Sequence, residues 1–337
     1  MAVRIAFLGH FRERGATGDM GTRAVGHHLI REAARHHEVL RVDIRDTGAW
    51  HQLAAFRPEI VHLVLGPTTR GLIASWLCMI PLRSARRVIS APNPSPHLLR
   101  AAVRLCRPDL VLVQSGRSER FFSSAGLRTG FLPNGVDLER FAPVSPDARR
   151  ALRAGSGLDP EKFTVLHVGP VIPGRNLLPL ATLPGQGYQV VVIGRDPVDR
   201  PVHRHLTESG CTVITGRDDS IERWYQLADC YVFLVPPEET SRSIETPLSV
   251  LEAMATNLPV ITTRFGALPR LFPESGDGLE YLEHPDRMEE SLSALQVSRD
   301  PVHTRDRVAP WAWPRIGARL MEYYTGLQAN PRTQENI

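Results

Sequence analysis

The sequence predicts an α/β protein built from two doubly wound halves. The chain has 337 residues, about twice the ~150 residues of a typical domain, which favours two domains. Short β-branched runs alternate with longer stretches of helical periodicity, as in parallel sheets covered by helices. The alternation is interrupted by a segment rich in Pro, Gly and charge, residues 142–162, and then restarts. This segment is therefore predicted to be the interdomain linker.

The first half opens on a predicted strand at residues 3–8. A helix is predicted over residues 22–37, because Val25, Leu29 and Ala33 recur every four residues and so share one face. Four further short apolar runs predict strands at residues 39–42, 60–65, 88–90 and 110–114.

The second half repeats this pattern. Five apolar runs predict buried parallel strands at residues 164–168, 189–193, 212–215, 230–234 and 260–263. The stretch 313–327 predicts an amphipathic helix, since Ile316, Leu320 and Tyr324 are spaced by four. The expected division is a first domain at 1–142, a second at 143–312, the helix 313–327 and a disordered tail at 328–337.

Composition excludes several classes of protein. Hydrophobic residues make up 42% and charged residues 23%, which is a globular balance rather than that of a disordered or fibrous chain. The four cysteines, at positions 78, 106, 211 and 230, form no C-x-x-C pair, which argues against a disulfide framework or a cysteine zinc site. Because the sequence shows neither a signal peptide nor a membrane-length apolar run, we expect a cytoplasmic protein.

Charge is distributed unevenly along the chain. Residues 1–142 carry 20 arginines and 11 acidic residues, which gives them a net charge of +9. The remaining residues have a net charge of −5. Arg100, Arg104 and Arg107 fall on one side of a predicted helix, either as a solvated face or as a docking surface for an anionic acceptor or the inner membrane face. No set of interleaved aromatic residues accompanies them, so nucleic acid is not an expected partner.

The segment after the strand at 230–234 predicts a phosphate site. Thr246 fits an N-cap and Pro247 the first helical position, so a helix should begin here with unpaired backbone amides at its start, near Leu248 and Ser249. Glu245 and Glu252 flank this start, and their carboxylates suit sugar hydroxyls beside a phosphate. The alternative is that Glu245 is a solvated loop residue and Glu252 caps a neighbouring loop.

Several motifs in the second half resemble glycosyltransferase family 4, the retaining GT-B enzymes. These are Glu252-Ala253-Met254-Ala255, Leu258-Pro259-Val260, the PNGVD-x-x-x-F element at residues 133–141 and Leu166-His167-Val168-Gly169. Residues 313–324 resemble the terminal helix of that family, which crosses back to the first domain. The resemblance implies two Rossmann-like domains facing each other across a cleft, a nucleoside diphosphate-sugar donor and no required metal or other cofactor.

The resemblance also implies residue roles. Glu252 would bind the donor ribose, Glu245 would approach the transferred sugar, and Arg175 would neutralise the diphosphate, which makes Glu245 and Arg175 the expected catalytic residues. Family members space their glutamates as E-x7-E, whereas Glu245 and Glu252 are E-x6-E, and Pro170 stands where an arginine is usual. The further expected donor-binding residues are Gly169, Asn134, Gly216, Arg195, Thr246, Pro247, Leu248 and Ser249, with Arg264 and Arg195 as candidates for a second cation.

The first half matches the family less closely. Gly15, Gly18 and Gly21 frame a loop that resembles the glycine-rich loop of the family, with an ordinary surface loop as the alternative. The histidine that the family often carries at the end of a first-domain strand is missing from residues 89–93, where Asn93 or a folded-back His97 could substitute. The paired histidines at positions 27, 28, 36 and 37 have no convergent third ligand, so a solvated face is favoured over a metal site.

We therefore expect a glycosyltransferase that moves a sugar from a nucleoside diphosphate-sugar to a small-molecule, glycan or lipid-linked acceptor, with retention of configuration. One alternative is a catalytically silent GT-B module that binds a nucleotide sugar or a partner. A second is a GT-B sugar-nucleotide epimerase, whose motifs match less well.

Overall fold

The computed structural model describes residues 2–11, 20–64, 84–91, 100–194, 197–216, 218–235, 245–298 and 302–329, together with positions 69, 72, 73, 76 and 82. The chain forms two compact units. The first unit contains residues 1–135, 242–246 and 313–337, and the second contains residues 136–241 and 247–312.

The first unit is built on a parallel sheet whose strands are ordered β2-β1-β3-β4-β5-β6. Its strands are β1 Arg4–Gly9, β2 Glu38–Asp43, β3 Ile60–Val64, β4 Arg86–Ala91, β5 Leu110–Val113 and β6 Thr129–Phe131. Its described helices are α1 Met20–Ala33, α2 Ala49–Phe56, α3 Arg100–Cys106, α4 Gly116–Ser124 and α12 Trp313–Ala329. All five residues of β3 are buried, as expected for a central strand with both faces covered.

The terminal helix α12 is fixed to this sheet by a buried polar network. Tyr324 of α12 lies with its Oη 2.5 Å from Nδ1 of His62 on β3, and the other ring nitrogen, Nε2, lies 2.8 Å from Ser90 Oγ on β4. Burial lowers the pKa of His62 to about 3, so its ring is neutral at pH 7. The network therefore satisfies a buried ring without adding a charge.

Helix α12 also packs closely against helix α1. The ring of Trp313 stacks on His28 of α1 with centroids 4.5 Å apart. A Cβ added to Gly317 would lie 2.6 Å from Glu32 Cβ, so the two helices meet closely at a bare Cα. His28, placed in a solvated face by the sequence, is thus partly covered by the terminal helix.

The second unit is built on a second parallel sheet, ordered β12-β11-β10-β7-β8-β9. Its strands are β7 Thr164–Val168, β8 Gln189–Gly194, β9 Thr212–Thr215, β10 Cys230–Phe233, β11 Val260–Thr262 and β12 Leu279–Tyr281. Its described helices are α5 Pro146–Gly155, α6 Arg200–Glu208, α7 Glu222–Leu227, α8 Leu248–Ala255, α9 Leu268–Leu271, α10 Met288–Val297 and α11 Thr304–Val308, with 3₁₀ turns at Pro173–Arg175, Leu178–Gln186, Pro285–Arg287 and Ala309–Trp311.

The segment 142–162, expected to be a linker, is instead part of the second unit. Ser145 caps helix α5, and its side chain accepts a hydrogen bond from the Ala148 amide. Arg153 of α5 is 5% exposed, donates from Nε to the Leu227 carbonyl at 2.7 Å and pairs with Asp229. This buried and paired arginine holds the segment against the second unit. The boundary between the two units lies earlier in the chain, after Gly135.

The sequence prediction also differs from the structure at the ends of elements. Helix α1 ends at Ala33 rather than residue 37. Strands β6 and β12 were not predicted, because each has only three residues and lies at the edge of its sheet. Gln328 and Ala329, placed in the predicted tail, continue helix α12, and residues 330–337 lie outside the described residues.

Candidate functional site

The centre of the candidate site is the carboxyl end of β7, where ligands bind in open α/β sheets. His167, the fourth residue of β7, is 1% exposed, and its Nδ1 lies 3.0 Å from the Val232 carbonyl of the neighbouring strand β10. Its ring stacks on Phe233, with centroids 5.3 Å apart. Burial lowers the pKa of His167 to about 4, so the imidazole is neutral at pH 7.

Arg175 reaches the same place from the 3₁₀ turn that follows β7. Its guanidinium carbon lies 5.8 Å from the centroid of the Phe233 ring, and burial lowers its pKa to about 10. A Cβ added to Gly169 would lie 3.9 Å from Arg175 Nε, so the structure brings these two predicted residues together. Within the described part of the chain, Arg175 forms no ion pair with a carboxylate. It is therefore a partly buried cation with the capacity to bind an anion.

The start of helix α8 differs by one residue from the prediction. Pro247 is the N-cap rather than the first helical residue, because its backbone is extended at φ −70° and ψ 116°, and the helix begins at Leu248. Thr246 does not cap the helix: it is counted with the first unit, where its carbonyl accepts a hydrogen bond from Asn134 Nδ2 at 2.8 Å. The hydroxyl of Ser249 bonds to the Tyr231 phenol oxygen, which ties the first turn of α8 to β10.

Glu252 lies inside helix α8 and is held by a tyrosine that sequence reasoning missed. Tyr225 donates a hydrogen bond from Oη to Glu252 Oε2 at 2.7 Å. Tyr225 is fully buried, with its ring centroid 5.5 Å from that of Phe141 and 5.8 Å from that of Tyr231. This packing fixes the orientation of one carboxylate oxygen of Glu252.

Glu245 is counted with the first unit, unlike Glu252. Its Oε1 accepts hydrogen bonds from the hydroxyls of Ser115, at 2.8 Å, and Ser118, both at the start of helix α4. Glu245 is 6% exposed, and burial raises its pKa to about 7 although these serines oppose the shift. The side chain is therefore not the solvated loop residue of the alternative interpretation. The two glutamates also belong to different units.

The raised pKa of Glu245 predicts a pH dependence of stability. In the unfolded chain this carboxyl titrates near its ordinary pKa of 4.5. Its contribution to the free energy of unfolding is therefore fully present below pH 4.5 and is lost as the pH rises to about 7. Glu245→Gln, which mimics the protonated form, should match the wild type near pH 4 and exceed it by up to about 3 kcal/mol at pH 8. Denaturant unfolding at both pH values measures this difference, with the exposed Glu38→Gln as control. An equal difference at both pH values would contradict the prediction.

Other predicted residues have local partners. The Asn134 amide, through Oδ1, also accepts from Gln114 Nε2 at 2.6 Å, so it braces the segment at Thr246 within the first unit. Arg264 donates to the Pro273 carbonyl and lies 4.3 Å over the Tyr281 ring. Gly216 has φ +116° and lines a surface depression with Arg200, His203 and Arg204 of α6.

Some predicted residues lie outside the described residues: Gly15, Gly18, Asn93, His97 and Arg195. Gly21 belongs to the first turn of helix α1. Among the residues that the structure does describe, no three His, Cys, Asp or Glu side chains come together as a metal site. In the same residues every helix is too short or too polar to cross a bilayer.

Comparison with known proteins points to one kind of enzyme. The family model described as glycosyl transferases group 1 matches residues 178–296. A sulfoquinovosyl transferase of Arabidopsis thaliana is 26% identical over 277 residues, which are 76% of this chain and 52% of that protein. A GDP-mannose-dependent phosphatidylinositol monomannoside mannosyltransferase of Corynebacterium glutamicum is 25% identical over 234 residues, 63% of this chain and 60% of that protein. The chain therefore spans about half to three fifths of the length of these curated relatives.

Solved structures share the fold over most of the length of this chain. The Anabaena protein HepE, crystallised with UDP-glucose, superposes with a TM-score of 0.72 at 16% identity, over 96% of this chain and 100% of that one. The sucrose-phosphate synthase of Thermosynechococcus elongatus superposes with a TM-score of 0.74 at 17% identity, over 97% of this chain and 99% of that one. The predicted α/β class is therefore confirmed: the chain has the two parallel six-stranded sheets with flanking helices of the GT-B fold.

Proposed function

We propose that this protein is a glycosyltransferase that transfers a sugar from a nucleoside diphosphate-sugar to an acceptor, with retention of configuration. The observation that carries the proposal is Arg175, a half-buried cation without a carboxylate partner in the described chain, beside the bare Cα of Gly169 at the end of β7. The match to the group 1 family model and the transferase relatives support it.

Each group of the donor has a proposed partner in the second unit. Arg175 and the backbone amides of Leu248 and Ser249 would bind the diphosphate, which gains negative charge as the glycosidic bond breaks. Glu252, oriented by Tyr225, would accept hydrogen bonds from the ribose hydroxyls. Charge compensation by one guanidinium and helix amides is the form of catalysis that this scheme uses, and no metal takes part in it.

The proposal also assigns a role to Glu245 and a chemical class to the acceptor. Glu245 would contact the transferred sugar through Oε2, a buried oxygen for which the described part of the chain offers no hydrogen-bond partner, while Oε1 is held by Ser115 and Ser118. For the acceptor we propose a lipid-linked or glycan hydroxyl, since the Corynebacterium relative is named for a phosphatidylinositol mannoside. The arginine-rich first part of the chain would favour an anionic acceptor or the inner membrane face.

A donor screen tests the proposal. Thermal unfolding is followed with UDP, GDP, ADP and dTDP and with their sugars, and a donor present at 100 times its dissociation constant should stabilise by about 2.7 kcal/mol. The donor that binds is then incubated with a panel of lipid, glycan and small-molecule acceptors, and nucleoside diphosphate release is measured. Release that rises on adding acceptor supports transfer. Binding without release across the panel would favour the silent module, and absence of any nucleotide binding would contradict both functions.

A further inference from the structure

Two buried polar atoms at the end of β7 have no hydrogen-bond partner among the residues that the structure describes. They are Nε2 of His167 and Nε of Arg175. Leaving a donor or an acceptor unpaired and buried is unfavourable, because the group loses its hydrogen bonds to water without gaining others. In folded proteins such atoms call for a specific explanation, because nearly all others are paired. A ligand group that pairs with both atoms is one explanation.

The protonation state of the His167 ring follows from its other nitrogen. The Val232 oxygen, 3.0 Å from Nδ1, is a carbonyl and can only accept, so Nδ1 must carry the hydrogen. Because burial keeps the ring neutral, with a pKa of about 4, Nε2 has a lone pair and can only accept. Arg175 Nε–H can only donate. The two unpaired atoms are therefore one acceptor and one donor.

Gly169 leaves room for an atom beside both. A Cβ on Gly169 would lie 3.1 Å from His167 Nε2 and 3.9 Å from Arg175 Nε. Apart from the adjacent residues, no other atom of the described chain comes closer to this Cβ than 3.9 Å. This point is near hydrogen-bond distance from Nε2, and a shift of less than about 1 Å brings it within reach of Nε as well. Gly169 is partly exposed, so a ligand can reach this position. We call this position the Gly169 notch.

The chemistry of the notch selects a hydroxyl group. A hydroxyl both donates and accepts, so one oxygen can accept from Arg175 Nε–H and donate to His167 Nε2. An ionised phosphate oxygen only accepts, and its lone pairs would face the lone pair of His167. The terminal nitrogens of the guanidinium are separate from Nε, so one arginine can serve both a hydroxyl and a diphosphate.

We propose that the Gly169 notch binds one sugar hydroxyl of the donor, held between Arg175 Nε–H and His167 Nε2. His167 is thereby a specificity-determining residue that selects a donor with a hydroxyl at this position. The proposal rests on the proposed function, because it takes the ligand of this site to be a nucleotide sugar. It gives a ligand contact to His167, a residue for which the sequence analysis predicted no role in binding.

The test compares donors that differ by one hydroxyl. Binding of UDP-glucose and GDP-mannose is measured by titration calorimetry, together with analogues of each that lack a single hydroxyl on the hexose or the ribose. In the wild type one deoxy analogue should bind about 10- to 100-fold more weakly than its parent, because it leaves both notch atoms unpaired.

His167→Phe should remove this discrimination. Phenylalanine keeps the ring and its stacking on Phe233 but has no acceptor, so the parent and that analogue should bind within about twofold of each other. Gly169→Ala fills the notch and should have the same effect while leaving His167 in place. His284→Phe makes the same exchange at an exposed position in the second unit and should keep the wild-type discrimination.

The outcomes separate the notch from the proposed function. If His167→Phe weakens the parent and every analogue by one common factor, the hydroxyl contact at Gly169 is wrong and the proposed donor site is unaffected. If no analogue binds more weakly than its parent in the wild type, the hydroxyl contact at Gly169 and the ribose contact of Glu252 are both wrong. If the wild type binds neither UDP-glucose nor GDP-mannose, nor any nucleotide of the donor screen, both proposals are wrong.

Discussion

Replacing Arg175 by alanine should lower kcat/KM for the donor by about 100- to 1000-fold, the loss seen when one preorganised electrostatic contact is removed from a transition state. The leaving diphosphate gains negative charge as the sugar departs. In the proposed function Arg175 would lie beside this diphosphate. The 3₁₀ turn Pro173–Arg175 and the Phe233 ring already hold its side chain, so little reorganisation would be needed when this charge develops. Initial rates of nucleoside diphosphate release at several donor concentrations measure the effect.

Two further variants sharpen this result. Arg175→Lys keeps a positive charge but loses Nε–H and the planar fork, so its activity should fall between those of the wild type and alanine. Arg287→Ala removes an exposed arginine that pairs with Glu290 in the same unit, and it should leave the rate unchanged. Equal rates for the wild type and Arg175→Ala would overturn the assignment of the diphosphate site to the end of β7.

Truncating Tyr324 to alanine should destabilise the first unit by about 3–5 kcal/mol, as for other large buried aromatic side chains. Tyr324 is 1% exposed, and its hydroxyl is a partner of the fully buried His62 ring. Tyr324→Phe removes only that hydroxyl and should cost about 1–3 kcal/mol, because His62 Nδ1 then remains buried without its partner. Denaturant unfolding of the full chain, followed at several wavelengths, measures both losses.

An exposed residue of the same helix provides the control. Glu322→Ala lies two positions before Tyr324 on the exposed side of α12 and should change the stability by less than about 0.5 kcal/mol. Losses from Tyr324→Ala no larger than those from Glu322→Ala would show that α12 is not needed to hold the sheet of the first unit together.

The strands of both sheets were largely predictable from the sequence. A central parallel strand is buried on both faces, so it leaves a continuous apolar run such as Ile60–Val64 or Thr164–Val168. Edge strands leave a weaker pattern, since Thr129–Phe131 contains a glycine and Leu279–Tyr281 a glutamate. The linker error has a similar cause: charge in residues 142–162 indicated a loop, although Ser145 and Pro146 are also a helix start.

The candidate site was only partly predictable. Arg175, Gly169 and Glu252 were predicted from a resemblance to family motifs, which consist of residues close together in the chain, and their roles stay predictions. His167 and Tyr231 look like ordinary strand residues, and Tyr225 looks like part of an amphipathic helix. Their roles depend on contacts between distant positions, such as His167 with the Val232 carbonyl, 65 residues apart. Such contacts leave no local pattern, and only the fold brings them together.

The order of segments along the chain has a consequence for biosynthesis. The second unit ends at Ala312, whereas the first still lacks helix α12, which supplies Tyr324 to His62. A ribosome working from the amino end therefore releases every segment of the second unit before the last segment of the first. A released chain that ends at Ala312 should therefore have a protease-sensitive first unit and a protease-resistant second unit.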